Sequence, residues 1–256
     1  MHHFFVKDHQ ISEKEIFIEE GDYNHAVNVL RLRSGEEILI SDEEGRDYVC
    51  EVGENDKELQ RLRLCIKEMT EKNHELPSRV YLFQGLPKSD KMEFIIQKAT
   101  ELGVSDIVPV NMKNCVVKLD DKKAEAKLKR WRAIAESAAK QSKRSAVPEI
   151  HDIMSFTEAV KMAEEMDLSI LPYECEDGMD GMIDAIVNFL PGRHIAVFIG
   201  PEGGFDRLEV KFARDRGVRT VSLGRRILRT ETAALAVLSM IMIRLEIAEQ
   251  MGFDEE

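Results

Sequence analysis

HIAVFIGPEGGFDRLEVKFARDRG, residues 194–217, runs through unbroken apolar residues, stops on a cluster of glycines and resumes with helical spacing. An apolar run with no polar alternation reads as a strand buried on both faces, which is the pattern of a parallel sheet covered by helices. The same rhythm extends in both directions. RVYLFQGL (79–86), DIVPV (106–110), LSILPYE (168–174) and RTVSLG (219–224) read as further strands. Between them fall helices at 90–103, 122–143, 155–166, 179–190 and 207–217, with a last one at 231–250. In the first of these, Asp90 and Glu93 have the spacing of a variant capping box and Gly103 supplies the stop. The expected fold is therefore α/β.

The first 70 or so residues differ. EIFIEE, EEILISD, DYVCEV and RLRLCIKEM mix alternating and β-rich patterns between glycines, with a short helix in DYNHAVNVLRL. This predicts a small β-barrel over 1–72, then a polar linker, TEKNHELP, leading into a second domain over 73–256.

Composition narrows the classes. With 256 residues, 43% hydrophobic and 33% charged, the chain is long enough for two cored domains. No apolar run approaches the roughly 20 residues of a membrane span, and MHHFF resembles no targeting segment, so a cytoplasmic protein without a membrane partner is expected. Cys50, Cys65, Cys115 and Cys175 are scattered, so neither a metal centre nor a disulfide framework is expected. His74, His151 and His194 stand singly. The net charge of −12 is uneven: residues 1–72 carry 10 basic and 18 acidic side chains, 73–150 carry 15 and 10, and 151–256 carry 11 and 20. Lys122–Arg144 holds nine cations against two acids, and Arg207–Arg229 eight against two. Basic islands on an acidic body suit phosphates at a chosen place, or are solvated helix faces.

In open parallel sheets ligands sit beyond the carboxyl ends of the strands. Three loops lie there: LPYE, IGPEGGF and LGRRILRTETA. IGPEGGF is neither a phosphate loop, since Gly204 is followed by Phe205 and Asp206, nor a dinucleotide fingerprint, and Glu202 would repel phosphate. Bare backbone with one acid suits a neutral or cationic nucleoside such as S-adenosylmethionine; it also suits a plain strand–helix turn.

GPEGGF (200–205) followed by LGRRILRTETAAL (223–235), together with KMEFIIQKATELGV (91–104), QSKRSAVPEI (141–150) and HAVNVLRLRSGEEI (25–38), resembles the RsmE family of ribosomal RNA methyltransferases in the SPOUT superfamily. The resemblance implies a PUA-like barrel before an α/β domain threaded into a deep trefoil knot. It further implies a homodimer and methylation of N3 of one uridine in small-subunit (16S) ribosomal RNA near the decoding centre, with S-adenosylmethionine as donor. Carried over by position, the cofactor residues are Leu171, Ile199, Gly200, Glu202, Gly203, Leu223, Gly224, Ile227, Leu228 and Arg229. Arg229 is the expected catalytic cation and Glu231 the candidate base, with a first-turn helix role competing for Glu231. His25, Arg31, Lys88, Lys91, Gln141 and Arg144 are the expected RNA contacts. Three positions depart from the family pattern: His3 stands where an arginine is common, Lys140 replaces an acid and Lys143 a glycine. A nucleotide enzyme of Rossmann type and a non-catalytic ribosome-assembly factor are the alternative readings.

Overall fold

The computed structural model describes residues 1–70, 74–189 and 191–252. Residues 71–73 of the expected linker, with the expected boundary between 72 and 73, lie outside those described. The chain forms two compact units, Met1–Glu75 with Ala139–Ala146, and Leu76–Ala138 with Val147–Glu256.

The first unit is a curled five-stranded sheet in the order β1-β3-β4-β5-β2: β1 His2–Phe5, β2 Glu15–Ile18, β3 Glu37–Ser41, β4 Asp47–Asp56 and β5 Arg61–Thr70. Alternation turns Ile16 and Ile18, Leu62 and Leu64, and Cys50 and Val52 inward, and register shifts at Val49/Cys50 and Val52/Asn55 bend β4 over this core. Among the described residues β1 and β2 stay unpaired with each other, so the expected barrel is an open, curled sheet. β1 gave no sequence signal: HHFF is a short edge strand, parallel to β3, that buries Phe4. Its His3 turns inward, Nε2 lying 2.7 Å from Ser41 Oγ. The Ser41 hydroxyl in turn donates to Asp47, which also accepts from Ser145 Oγ at 2.7 Å. Burial pulls the His3 imidazole down to about 4, against the attraction of Asp47.

The second unit is a parallel sheet in the order β12-β10-β11-β6-β7-β8, with β9 (Met154–Ser155) also on β7. Its strands are β6 Val80–Gly85, β7 Asp106–Asn111, β8 Glu149–Ile150, β10 Leu168–Pro172, β11 Ile195–Ile199 and β12 Arg219–Val221. The helices are α2 Lys91–Glu101, α3 Asp121–Ser142, α4 Phe156–Ala163, α5 Asp180–Val187, α6 Arg207–Arg214 and α7 Thr230–Met251; a short α1, Glu20–Asn24, belongs to the first unit. Every residue of β6 and β11 is buried, and Phe83 stacks on Phe198 with centroids 4.6 Å apart. A buried phenylalanine contributes about 2–3 kcal/mol, so this pair anchors the sheet centre. α7 turns Ala234, Val237, Leu238, Ile241 and Leu245 inward at helical spacing and packs on α2. No helix among the described residues is long and apolar enough to cross a membrane.

Some helix starts are set by side-chain caps and others, α2, α5 and α7 among them, are not. Ser155/Glu158 and Asp206/Glu209 form reciprocal capping boxes. Asp90 does occupy the position before α2, but its side chain caps nothing. Glu93 points sideways to α3, 2.6 Å from Arg130 and 3.6 Å from Lys127.

Candidate active site

The carboxyl ends of β6, β10, β11 and β12 converge on one edge, and a cavity of about 470 Å³ opens there. Its walls come from Ile199–Phe205 after β11, Ile227–Thr230 before α7, Pro172 and Glu174 after β10, and Lys91 of α2. A smaller cavity of about 130 Å³ adjoins it between Tyr173 and the stretch Ser222–Leu228. Pro172, Glu174, Ile227, Leu228 and Ala233 line both, so the two form one bent space.

The glycines of the loop are set by the protein's own packing. A Cβ on Gly203 would lie 3.0 Å from Asn114 Cβ, and one on Gly200 would lie 3.1 Å from the Phe205 ring. Gly204 has φ +65, and a Cβ there would meet Glu174 Oε1 at 2.9 Å. Asn114 holds the loop by donating to Gly203 O and Gly204 O at 3.1 and 3.2 Å. The neighbouring strand end is as tight: a Cβ on Gly85 would come within 2.7 Å of Pro201 Cδ.

A second anchor runs through Thr230, the first residue of α7. Its hydroxyl donates to Gly200 O at 2.7 Å and accepts from Gln84 Nε2 at 2.9 Å. Gln84 is wholly buried, its Nε2 also donates to Gly85 O at 2.9 Å, and its Oε1 has no partner. Strand β6, the glycine loop and the α7 start are thus tied at one point.

Electrostatics divide the charged side chains in two. Glu202 accepts from the Lys88 backbone N–H at 3.1 and 3.3 Å and pairs with Lys91 Nζ at 3.2 Å. Lys91 Nζ also lies 3.1 Å from Glu231 Oε2, a buried oxygen with no aligned hydrogen bond. Burial alone would raise both glutamates, but backbone N–H groups and Lys91 outweigh it and hold each below the usual carboxylate range, with Arg229 adding a longer-range pull on Glu231. Glu231, then Glu202, hold the Lys91 ammonium above its ordinary value against the opposing effect of burial. Arg229 and Glu174 are exposed and line the cavity, and among the described residues neither makes an ion pair, with the other or with any third group. The larger cavity, with an apolar wall and, among the described residues, one cation and one anion free of ion pairs, suits a ligand that carries both signs; Arg225 and Arg226, also without an ion pair, line the smaller one.

Of the sequence-derived cofactor residues, Ile199, Gly200, Glu202, Gly203, Ile227, Leu228 and Arg229 line the larger cavity, and Leu223 and Gly224 the smaller. Leu171 is fully buried in β10 and lines neither. Glu231 sits in the first turn of α7 beside the Lys91 pair. The expected RNA contacts scatter. His25, Arg31, Gln141 and Lys88 are exposed, and Lys91 is held between its two glutamates. Arg144 is a correction: it is 4% exposed and its guanidinium grips Glu75 from Nε at 3.1 and 3.2 Å, so it is not presented to a phosphate. Lys140 likewise pairs with Asp22 at 3.1 Å. His151 is not a lone histidine but lies 2.9 Å from Asp106, beside Glu149, with Arg79 on the other Asp106 oxygen at 2.9 Å. Glu174 and Thr230 belong to two of the three expected loops, LPYE and LGRRILRTETA, without a role of their own in the sequence, whereas only folding brings Gln84 and Asn114 to the glycine loop.

Residues 74–242 match a family model described as an RNA methyltransferase domain, and 18–60 one described as an RNA methyltransferase PUA domain. The chain thus joins a PUA domain to an RNA methyltransferase domain. The chain is 39% identical over 253 residues to the ribosomal RNA small subunit methyltransferase E of Bacillus subtilis (strain 168), covering 96% of this chain and 98% of that one. The crystal structure of a ribosomal RNA small subunit methyltransferase E from Neisseria gonorrhoeae bound to S-adenosyl methionine is 32% identical, with TM-score 0.81 over 93% of this chain and 96% of that one. A Legionella pneumophila structure in complex with the bound cofactor SAM is 27% identical, with TM-score 0.81 over 94% and 96%. The chain belongs to the ribosomal RNA small subunit methyltransferase E family.

Proposed function

We propose that this protein methylates N3 of one uridine in 16S ribosomal RNA near the decoding centre, using S-adenosylmethionine, as a cytoplasmic homodimer. Residues 1–72 serve as a PUA-like RNA-binding domain. Residues 73–256 form a SPOUT methyltransferase domain whose C-terminal part is threaded into a trefoil knot. Family membership supports the RNA methyltransferase class. The resemblance of GPEGGF and LGRRILRTETAAL supports the finer assignments.

The residues present fit the donor. Left-handed Gly204 and the Gly200 and Gly203 backbone line a tight turn beside the cavity, while Ile199, Leu223, Ile227 and Leu228 offer apolar cover to a nucleoside. When bound, S-adenosylmethionine supplies an electrophilic methyl group on a sulfonium. The chain's own part is electrostatic. Uracil N3 becomes nucleophilic only as its proton leaves, and the unpaired Arg229 stabilises the negative charge that develops on the ring oxygens. Glu231, held anionic beside Lys91 with its basicity lowered, positions that lysine, and the N3 proton passes to solvent. His25, Arg31, Gln141 and Lys88 contact RNA, phosphate contacts fixing register while the target base is turned out of its stack.

The observation that carries this reading is the unpaired Arg229 at the cavity between the two glycine-bearing loops of an RNA methyltransferase fold. Small ribosomal subunits from cells lacking the enzyme are incubated with labelled donor, and the product is mapped by reverse-transcription stops. Wild type is expected to label one uridine, and Arg229→Ala to lose about 100-fold in rate. A wild-type protein that transfers no label refutes the enzyme; a stop at another base refutes the N3-uridine assignment.

A further inference from the structure

We propose that Glu174, and not the Glu202 of the glycine loop, is the carboxylate that receives the cationic part of the methyl donor; this rests on the methyl-donor reading of the cavity. The sequence draws attention to Glu202 because it stands alone among glycines. In the folded chain Glu202 is already engaged by the Lys88 N–H and by Lys91 Nζ at 3.2 Å, and Glu231 takes the other side of that lysine. Its charge is matched within the protein.

Glu174 stands differently. It follows β10 by two residues, lines both parts of the bent cavity, and makes no ion pair or hydrogen bond among the described residues. The glycine loop comes close to it: a Cβ on Gly204 would lie 2.9 Å from Glu174 Oε1. The φ of +65 is what requires glycine at that position, and the carboxylate end, free to swing, reaches the loop backbone there. Arg229 lines the larger part of the cavity and Arg225 and Arg226 the smaller, and among the described residues none of them forms an ion pair with Glu174. Glu174 is thus the one carboxylate among the described lining residues whose charge no ion pair matches, and it complements a ligand that carries positive charge. S-adenosylmethionine carries an α-ammonium and a sulfonium as well as a carboxylate. Glu174 meets the positive charge, and Arg229 remains for the negative charge that develops on the base.

Isothermal titration calorimetry of the full chain tests this with three ligands. S-adenosylmethionine has both cations, S-adenosylhomocysteine keeps only the ammonium, and 5′-methylthioadenosine has neither. Glu174→Gln keeps the size of the side chain and removes its charge. The expected result is a rise of about tenfold in Kd for S-adenosylmethionine, the size of one charge-assisted hydrogen bond in a half-open cavity, with 5′-methylthioadenosine unchanged. Glu174→Asp recovers part of the loss. An equal loss for S-adenosylhomocysteine assigns the contact to the ammonium and an unchanged Kd assigns it to the sulfonium; both uphold the proposal. Equal weakening of all three ligands, or an unchanged Kd for S-adenosylmethionine, overturns it. Glu202→Gln serves as comparator and is expected to affect the three ligands alike, through the Lys91 clamp. Because Glu174 is exposed and makes no hydrogen bond or ion pair among the described residues, Glu174→Gln should match wild type in unliganded Tm. If wild type itself binds no S-adenosylmethionine, the methyl-donor reading fails; if wild type binds and Glu174→Gln binds equally, only the role of Glu174 fails.

Discussion

Thr230→Val removes one hydroxyl and keeps the side-chain shape, so it isolates the tie between β6, the glycine loop and α7. Thr230 is 5% exposed, donates to Gly200 O at 2.7 Å and accepts from Gln84 Nε2 at 2.9 Å. Without the hydroxyl, Gly200 O loses its donor, and Gln84 Nε2 keeps only Gly85 O while Gln84 Oε1 is already unpartnered. Each buried polar group left unmade costs about 1–3 kcal/mol; water can reach half-buried Gly200, so the low end applies there and the sum is about 2 kcal/mol. At this chain length that is a fall of about 4–8 °C in Tm. Because Gly200 O lies on the cavity wall, the Kd for S-adenosylmethionine is expected to rise about tenfold as the loop gains freedom. Thr230→Ser, which keeps the hydroxyl, should stay within about 0.5 kcal/mol and retain the affinity. Urea unfolding and calorimetry on both variants decide the matter. If valine and serine behave alike in both measurements, the tie does not position the loop.

Other expectations follow from particular distances and dihedrals. Lys143 stands at φ +59 just past α3, with Arg144 N–H donating to Ala139 O at 3.1 Å, a helix ending that favours glycine. Lys143→Gly should therefore stabilise by about 0.5–1 kcal/mol, the strain of about 1–2 less the entropy that glycine adds to the unfolded chain, and urea midpoints will show it. His3 is neutral when folded because its value of about 4 lies below the unfolded value; between pH 6.5 and 4 the unfolded chain binds the extra proton, so stability falls as pH falls, by up to about 3 kcal/mol. His3→Gln, still facing Ser41 and Asp47, should flatten that slope in unfolding curves at pH 7 and pH 5. Gly203→Ala pushes a Cβ against Asn114 Cβ at 3.0 Å and Asn114 O at 3.2 Å, for about 1–3 kcal/mol. Adding Asn114→Gly removes the side-chain clash alone, so a double-mutant cycle should show a coupling of at least about 0.5 kcal/mol.

The parallel sheet was legible because its strands are unbroken apolar runs, a signal that needs no knowledge of neighbours. β1 was not, since four residues at a sheet edge carry no period. The failures at Glu93 and Arg144 share one cause. Glu93 has capping-box spacing, but Lys127 and Arg130 draw it toward α3. Arg144 stands in a basic island, yet Glu75 takes its guanidinium into the first unit. A local pattern tells which residues are polar; which opposite charge arrives from some 35 to 70 residues away is decided by the fold. Lys143 shows the reverse: lysine stands in place of the family glycine, and the backbone keeps the glycine-like conformation regardless.

The same distinction explains the glycine loop. Read as sequence, its bareness suggests backbone laid open to a ligand. In the fold, Gly200 gives way to Phe205 and Gly203 to Asn114, while Gly204 takes a left-handed backbone with φ +65, so each glycine answers to the protein's own conformation. Glycine density here measures how tightly a loop is folded against its supports, and it specifies no ligand. Specificity then has to come from groups that the protein leaves unsatisfied. An exposed charge gains little from a partner in water and more from one held in a half-open cavity, so an unpaired glutamate on that wall is a standing preference for a ligand that carries positive charge. Lys91, Glu202 and Glu231 have cancelled theirs and shape the site; Glu174 has not and meets the positive charge of what enters it, while Arg229 is left for the charge that develops on the base.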